Sequence, residues 1–160
     1  VNVFGRATSQ VGRRLTAQPS GGEMVKILAV DDSKSMRHMV SQTLTDAGFE
    51  TKLACDGVEA LEVARDYIAD VVITDVNMPN MDGITLVKRL RELPEYRSRP
   101  ILVLTTESST EKKMEGKEAG ASGWIVKPFD PDKLVATCTC QSVRNNKRQI
   151  SKRPPLAWNR

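Results

Sequence analysis

Histidine occurs once, as His38, and cysteine three times, as Cys55, Cys138 and Cys140. A zinc site gathers several such ligands at characteristic spacings, and Cys138-Thr139-Cys140 has neither zinc-ribbon nor thioredoxin spacing. Three thiols give no disulfide framework, so reduced cysteines and a cytoplasmic location are expected. Aromatic residues make up 4% of the chain, which leaves the core to Val, Leu, Ile, Ala and Met. No segment approaches the roughly 18 consecutive apolar residues of a membrane span. No membrane association is expected.

Acidic residues are missing from the last stretch of the chain, and this skews the charge. Residues 141–160 carry Arg144, Lys147, Arg148, Lys152, Arg153 and Arg160 without one acid, a net of +6. Residues 1–23 are at +2, so residues 24–140 hold −4 of the overall +4. The basic balance therefore belongs to the ends, and the middle is mildly acidic. A basic patch on a folded face would point to nucleic acid. A basic tail reads first as a solvated end, and no nucleic-acid partner is expected.

What is present is a regular alternation. Residues 1–23 mix Gly, Ser, Gln and Arg without periodicity and read as a flexible leader. The apolar run Val25–Val30 reads as a buried strand and stops at Asp31-Asp32. A helix follows, with Met36, Met39, Val40 and Leu44 as its apolar stripe and Gly48 at its end. Glu50 to Cys55 is a less apolar, edge-type strand, and Val58, Leu61, Ala64 and Tyr67 stripe a second helix. Ala69 to Thr74 is a strong strand ending at Asp75, and after a loop Ile84, Val87 and Leu90 stripe a third helix. Pro100 to Leu104 ends at Thr105, residues 109–119 form a weak helix, Trp124 to Val126 ends at Lys127, and Lys133 opens a fifth helix. Such alternation predicts an α/β fold, a doubly wound parallel sheet with helices on both faces.

The strong strands close on Asp31-Asp32, Asp75, Thr105 and Lys127. In an open parallel sheet the carboxyl ends of the strands share one edge, where ligands bind. Three carboxylates brought together there repel unless a cation joins them. Oxygen-only ligands select a hard ion, and few carboxylates with room for water favour magnesium over calcium. Lys127 offers a compact positive charge to a phosphate-like anion, and Thr105 a hydroxyl. These parts suit phosphoryl transfer, with Asp75 as the nucleophile. Taken singly, Asp31-Asp32 would be a helix cap, Thr105 a commonplace strand end and Lys127 a surface lysine. His38 lies off its helix stripe and reads as a surface residue.

Four motifs carry a resemblance. Val30-Asp31-Asp32-Ser33, Thr74 through Gly83, Leu104-Thr105-Thr106 and Trp124 through Phe129 resemble the receiver domains of two-component response regulators. They are similar in particular to single-domain chemotaxis regulators of the CheY type. The resemblance spans residues 24–136 and implies a flavodoxin-like five-stranded sheet of order 2-1-3-4-5. It implies phosphorylation of Asp75 by a histidine kinase, with Mg2+ held by Asp32, Asp75 and the Asn77 carbonyl, and by Asp31 through water. Thr105 and Lys127 would bind the phosphoryl oxygens, and Lys127-Pro128 would be a cis peptide. Trp124 takes the place of the switch aromatic, while Asn77 and Glu107 take positions that tune dephosphorylation. The implied role is a phosphoacceptor signalling domain rather than an enzyme, acting on a downstream protein such as the flagellar motor switch.

Three other readings share parts of this pattern. A magnesium-dependent phosphohydrolase with an aspartyl nucleophile would show D-x-D followed by Gly-Thr, where this chain has Asp75-Val76-Asn77. A receiver of a phosphorelay outside chemotaxis would share every site residue. A DNA-binding regulator would need more than the polar residues after Ala136. Residues 137–160 form an atypical basic tail, since Thr137-Cys138-Thr139-Cys140 are poor helix formers, although the fifth helix could run to about residue 148.

Overall fold

The computed structural model describes residues 24–151; the expected leader and residues 152–160 of the basic tail lie outside the described residues. The apolar runs become five short strands, β1 (Lys26–Val30), β2 (Glu50–Ala54), β3 (Val71–Thr74), β4 (Ile101–Thr105) and β5 (Gly123–Val126). They pair in parallel in the order β2-β1-β3-β4-β5. Helices α1 (Lys34–Asp46), α2 (Gly57–Asp66), α3 (Gly83–Glu92) and α4 (Thr110–Ala119) cross between them, and α5 (Pro131–Ser151) follows β5. This is the doubly wound architecture expected.

Strand alternation builds two cores, one on each face of the sheet. Leu28, Val30, Val72, Ile101 and Val103 point to one side, against Ala60 and Ala64 of α2 and Ile84, Leu86, Val87 and Leu90 of α3. Ile27, Ala29, Val71, Ile73, Leu102 and Leu104 point to the other, against Val40 and Leu44 of α1 and Leu134 and Cys138 of α5. Burial of successive residues on opposite faces is what a strand covered on both sides requires.

Each of the first four helices opens on a side-chain cap. Ser33, Asp56, Asp82 and Ser109 accept main-chain N–H bonds from Met36, Glu59, Ile84 with Thr85, and Lys112 respectively. Each cap satisfies donors that the first helical turn leaves unpaired. At the far end of α4, Gly120 takes φ +105°, the left-handed conformation glycine accepts without steric cost.

Two expected core residues are not in the core. Met39 is 53% exposed and Val58 44%. On α2 the sheet-facing positions are Gly57, Ala60 and Ala64, which let the helix approach closely and turn Val58 outward. On α1 the buried residues are Val40 and Leu44, with Met36 packed at the margin.

Helix α5 runs for 21 residues, through the Thr-Cys-Thr-Cys segment and up to Ser151. The hydroxyls of Thr137 and Thr139 donate to the carbonyls of Lys133 and Val135, both at 2.8 Å. This back-bonding is how threonine is accommodated inside a helix. Cys138 lies fully buried next to Leu134, and burial pushes its thiol up to about 12. It is a small apolar filler. Twenty-one residues make a helix of about 32 Å, whereas the four of β5 span about 13 Å, so α5 overhangs the sheet. Val143 is 45% exposed there, so the apolar stripe does not continue through it.

Candidate functional site

Parallel pairing puts the carboxyl ends of β1, β3, β4 and β5 side by side, and their terminal residues meet. Carboxylate oxygens of Asp31, Asp32 and Asp75 all lie within 4.8 Å of one another. The Lys127 ammonium donates to Asp31 at 2.6 Å and to Asp75 at 3.2 Å. Asp31 and Asp75 are buried and Asp32 is exposed, so the group forms a cup open on one side. Desolvation by burial works against the Lys127 charge, but its hydrogen bond to Asp31 and the fields of both carboxylates outweigh it and raise its pKa.

The main chain fixes these side chains. Asp75 Oδ1 accepts the Val76 N–H at 2.6 Å, while the Asp75 N–H donates to the Val30 carbonyl at 2.9 Å. Asp31 Oδ1 accepts the Ser33 N–H at 2.8 Å. Each acid therefore spends one oxygen on its own turn and offers the other to the cup.

Three supporting residues escaped the sequence reading. The Arg37 guanidinium donates to the carbonyls of Asp31 at 2.6 Å and Asp32 at 3.1 Å, tying α1 to the acidic turn. Asn80, at φ +65°, donates to Asp56 at 2.7 Å, pinning the loop after β3 to the start of α2. Gly83 begins α3 directly beneath Asp75, where an added Cβ would lie 1.8 Å from the Asp75 carbonyl oxygen. The sequence signalled only the last, through the Asp-Gly pair that caps and opens a helix. Arginine reaching back to carbonyls leaves no trace in spacing.

The remaining predicted residues surround the cup. Thr105 ends β4 fully buried; its hydroxyl accepts the Glu107 N–H at 3.2 Å, and its carbonyl accepts the Lys127 N–H at 2.8 Å. Asn77 lies exposed two residues past Asp75. The half-buried Trp124 donates its indole N–H to the Glu107 carbonyl at 3.0 Å. Its ring lies against Gly116 of α4, where an added Cβ would come 2.5 Å from Cζ3. The Glu107 carboxylate accepts the Ser109 N–H, which holds its pKa below the usual range. Lys127-Pro128 is cis.

The donor set is all oxygen, with carboxylates close enough to share one ion, and it fits a hard divalent cation. An open parallel sheet with an acidic, lysine-closed switch-point pocket defines a phosphoacceptor signalling module. Residues 27–139 match the response regulator receiver domain family, and the chain belongs to it. It is homologous to the CheY chemotaxis regulators. Chemotaxis protein CheY-3 of Vibrio cholerae is 44% identical over 106 residues, covering 66% of this chain and 82% of that protein. The CheY homolog of Campylobacter jejuni is 40% identical over 112 residues, covering 69% and 86%. The crystal structure of V. cholerae CheY4 superposes with TM-score 0.72 at 55% identity, covering 74% of this chain and 99% of that one. Among the described residues no helix is long and apolar enough to cross a membrane.

Proposed function

We propose that Asp75 takes a phosphoryl group from the phosphohistidine of a histidine kinase, in a reaction that requires Mg2+. The observation that carries this reading is the single ammonium of Lys127 closing on Asp31 and Asp75 inside a three-carboxylate cup. Asp75 Oδ2, released from Lys127, attacks phosphorus, the P–N bond breaks as the P–O bond forms, and the imidazole leaves with the electron pair. Asp32, Asp75 and the Asn77 carbonyl would hold the ion directly, and Asp31 would act through water. Bound magnesium would supply neutralisation of charge on the transferring oxygens. Lys127 exchanges a carboxylate for a phosphoryl oxygen, and the Thr105 hydroxyl moves toward the same group.

Signal output follows from the Thr105 movement. Glu107 binds both the Thr105 hydroxyl and the Trp124 indole through its main chain. A shift at Thr105 therefore redistributes Trp124 between positions on the α4–β5 face, a population shift read by a downstream protein. The flagellar motor switch is the partner proposed, a reading supported by relatives that are chemotaxis proteins. Asn77 and Glu107 flank the approach of water to the phosphoryl group and set its lifetime. The work is that of a signalling domain in the cytoplasm, with the receiver running from residue 24 into the fifth helix, past Cys138.

Beryllofluoride or acetyl phosphate, added with and without magnesium to a Trp158→Phe background, tests this through Trp124 fluorescence. A magnesium-dependent change abolished by Asp75→Asn is expected. An unchanged signal, or one that persists in Asp75→Asn, overturns the assignment.

A further inference from the structure

The opposite edge of the sheet holds a second polar cavity, remote from the acidic cup. It has a volume of about 280 Å³ and lies between the overhanging end of α5 and the turns leading into β4 and β5. Arg144 and Arg148, one turn apart on α5, line it together with Ser98 and Ser122. Neither arginine makes an ion pair among the described residues. No carboxylate lines the cavity.

The hydrogen-bonding pattern specifies more than positive charge. Ser122 Oγ already accepts from the Ile101 N–H at 3.1 Å and from Arg91 at 3.3 Å, so its own proton is left to donate. Ser98 Oγ accepts from Gln149 at 3.4 Å and likewise keeps a proton. The cavity thus presents two guanidinium forks and two hydroxyl protons to an acceptor. Asn145, between the arginines, is 5% exposed, and its Oδ1 is the one buried side-chain oxygen among the described residues with no partner. An unpaired buried acceptor costs free energy and calls for a donor.

We propose that this cavity binds inorganic phosphate in a protonated form, hydrogen phosphate. Its bare oxygens accept from Arg144, Arg148 and the two serines, and a turn of the Asn145 amide brings Oδ1, buried without a partner in the free chain, to accept from the P–OH. Guanidinium forks match tetrahedral oxyanions in a bidentate way. Sulfate has the same shape but carries no proton at neutral pH, and it leaves Asn145 unpaired.

The test is an amide-shift NMR titration of the full chain at neutral pH in EDTA, which keeps metal out of the acidic cup. Phosphate and sulfate are compared at equal ionic strength. Phosphate is expected to shift Ser98, Ser122 and residues 141–148 selectively, and to bind at least about tenfold more tightly than sulfate, a difference of about 1.4 kcal/mol. Arg144→Ala with Arg148→Ala should weaken phosphate binding about tenfold or more, by loss of charge-assisted hydrogen bonds. Both are exposed helix positions where alanine favours the helix, so the fold is retained. Lys133→Ala with Lys147→Ala removes the same charge from the same helix, off the cavity, and should leave binding intact. Equal weakening in both double variants would reduce the effect to net charge and overturn the site. So would equal binding of sulfate, or the absence of any selective shift.

Discussion

The two edges of the sheet are built on opposite plans. At the carboxyl edge, acids at 2.6–3.2 Å from one ammonium are each anchored by a main-chain bond. At the amino edge, arginines on an overhanging helix stand without ion partners among the described residues. Position is over-determined where strands end and helices begin, because short turns leave the side chains no freedom. It is loose where a helix outruns the sheet it covers. The phosphoryl transfer proposed above rewards fixed geometry, which the first edge offers.

Substitutions at each edge sharpen the contrast, beginning with the largest. Gly83→Ala drives a methyl into the Asp75 carbonyl oxygen, and the backbone there has nowhere to yield. Urea unfolding should show a loss of about 3 kcal/mol or more, the upper end for overpacking. Leu134→Ala, on the part of α5 that covers the sheet, removes a side chain 1% exposed and should cost about 2–3 kcal/mol. Val143→Ala on the overhang, at 45% exposure, should stay within about 0.5 kcal/mol of wild type.

The same boundary can be read with protons. Burial raises Cys138 from 9.0 to about 12, so the folded chain keeps its thiol protonated where the unfolded chain is already a thiolate. That contribution is fully present below pH 9 and is lost as pH rises toward 12. Over that window stability relative to Cys138→Ala should fall by about 1 kcal/mol per pH unit. The smallest effect is spectroscopic: Gly116→Ala displaces the Trp124 ring, and its emission should move to the red in a Trp158→Phe background with little change in stability.

Most of the fold was legible because every strand but the edge strand β2 is a largely apolar run that stops at a charged or hydroxyl residue. The cup was legible for the same reason: Asp31, Asp75, Thr105 and Lys127 stand where apolar runs end. Helix faces were harder. Met39 and Val58 continue an apolar stripe in sequence, but the surface that packs on the sheet is narrower and, in α2, made of glycine and alanine. The end of α5 was least legible. Threonine and cysteine signal a weak helix, whereas Leu134 and Cys138 seat it on the sheet and hydroxyl back-bonds carry it onward. Arg37 and Asn80 act on main-chain and cap groups, which no side-chain pattern announces.

The lysine that closes on Asp31 and Asp75 also lets the pocket wait. A site of three acids alone would strain the apo chain and tie its folding to cation supply, as in small zinc domains that unfold without metal. With one ammonium already seated between two of the acids, the cup is partly self-neutralised. Chelators should silence this protein without melting it, so that readiness to signal and integrity of the fold answer to different concentrations in the cell.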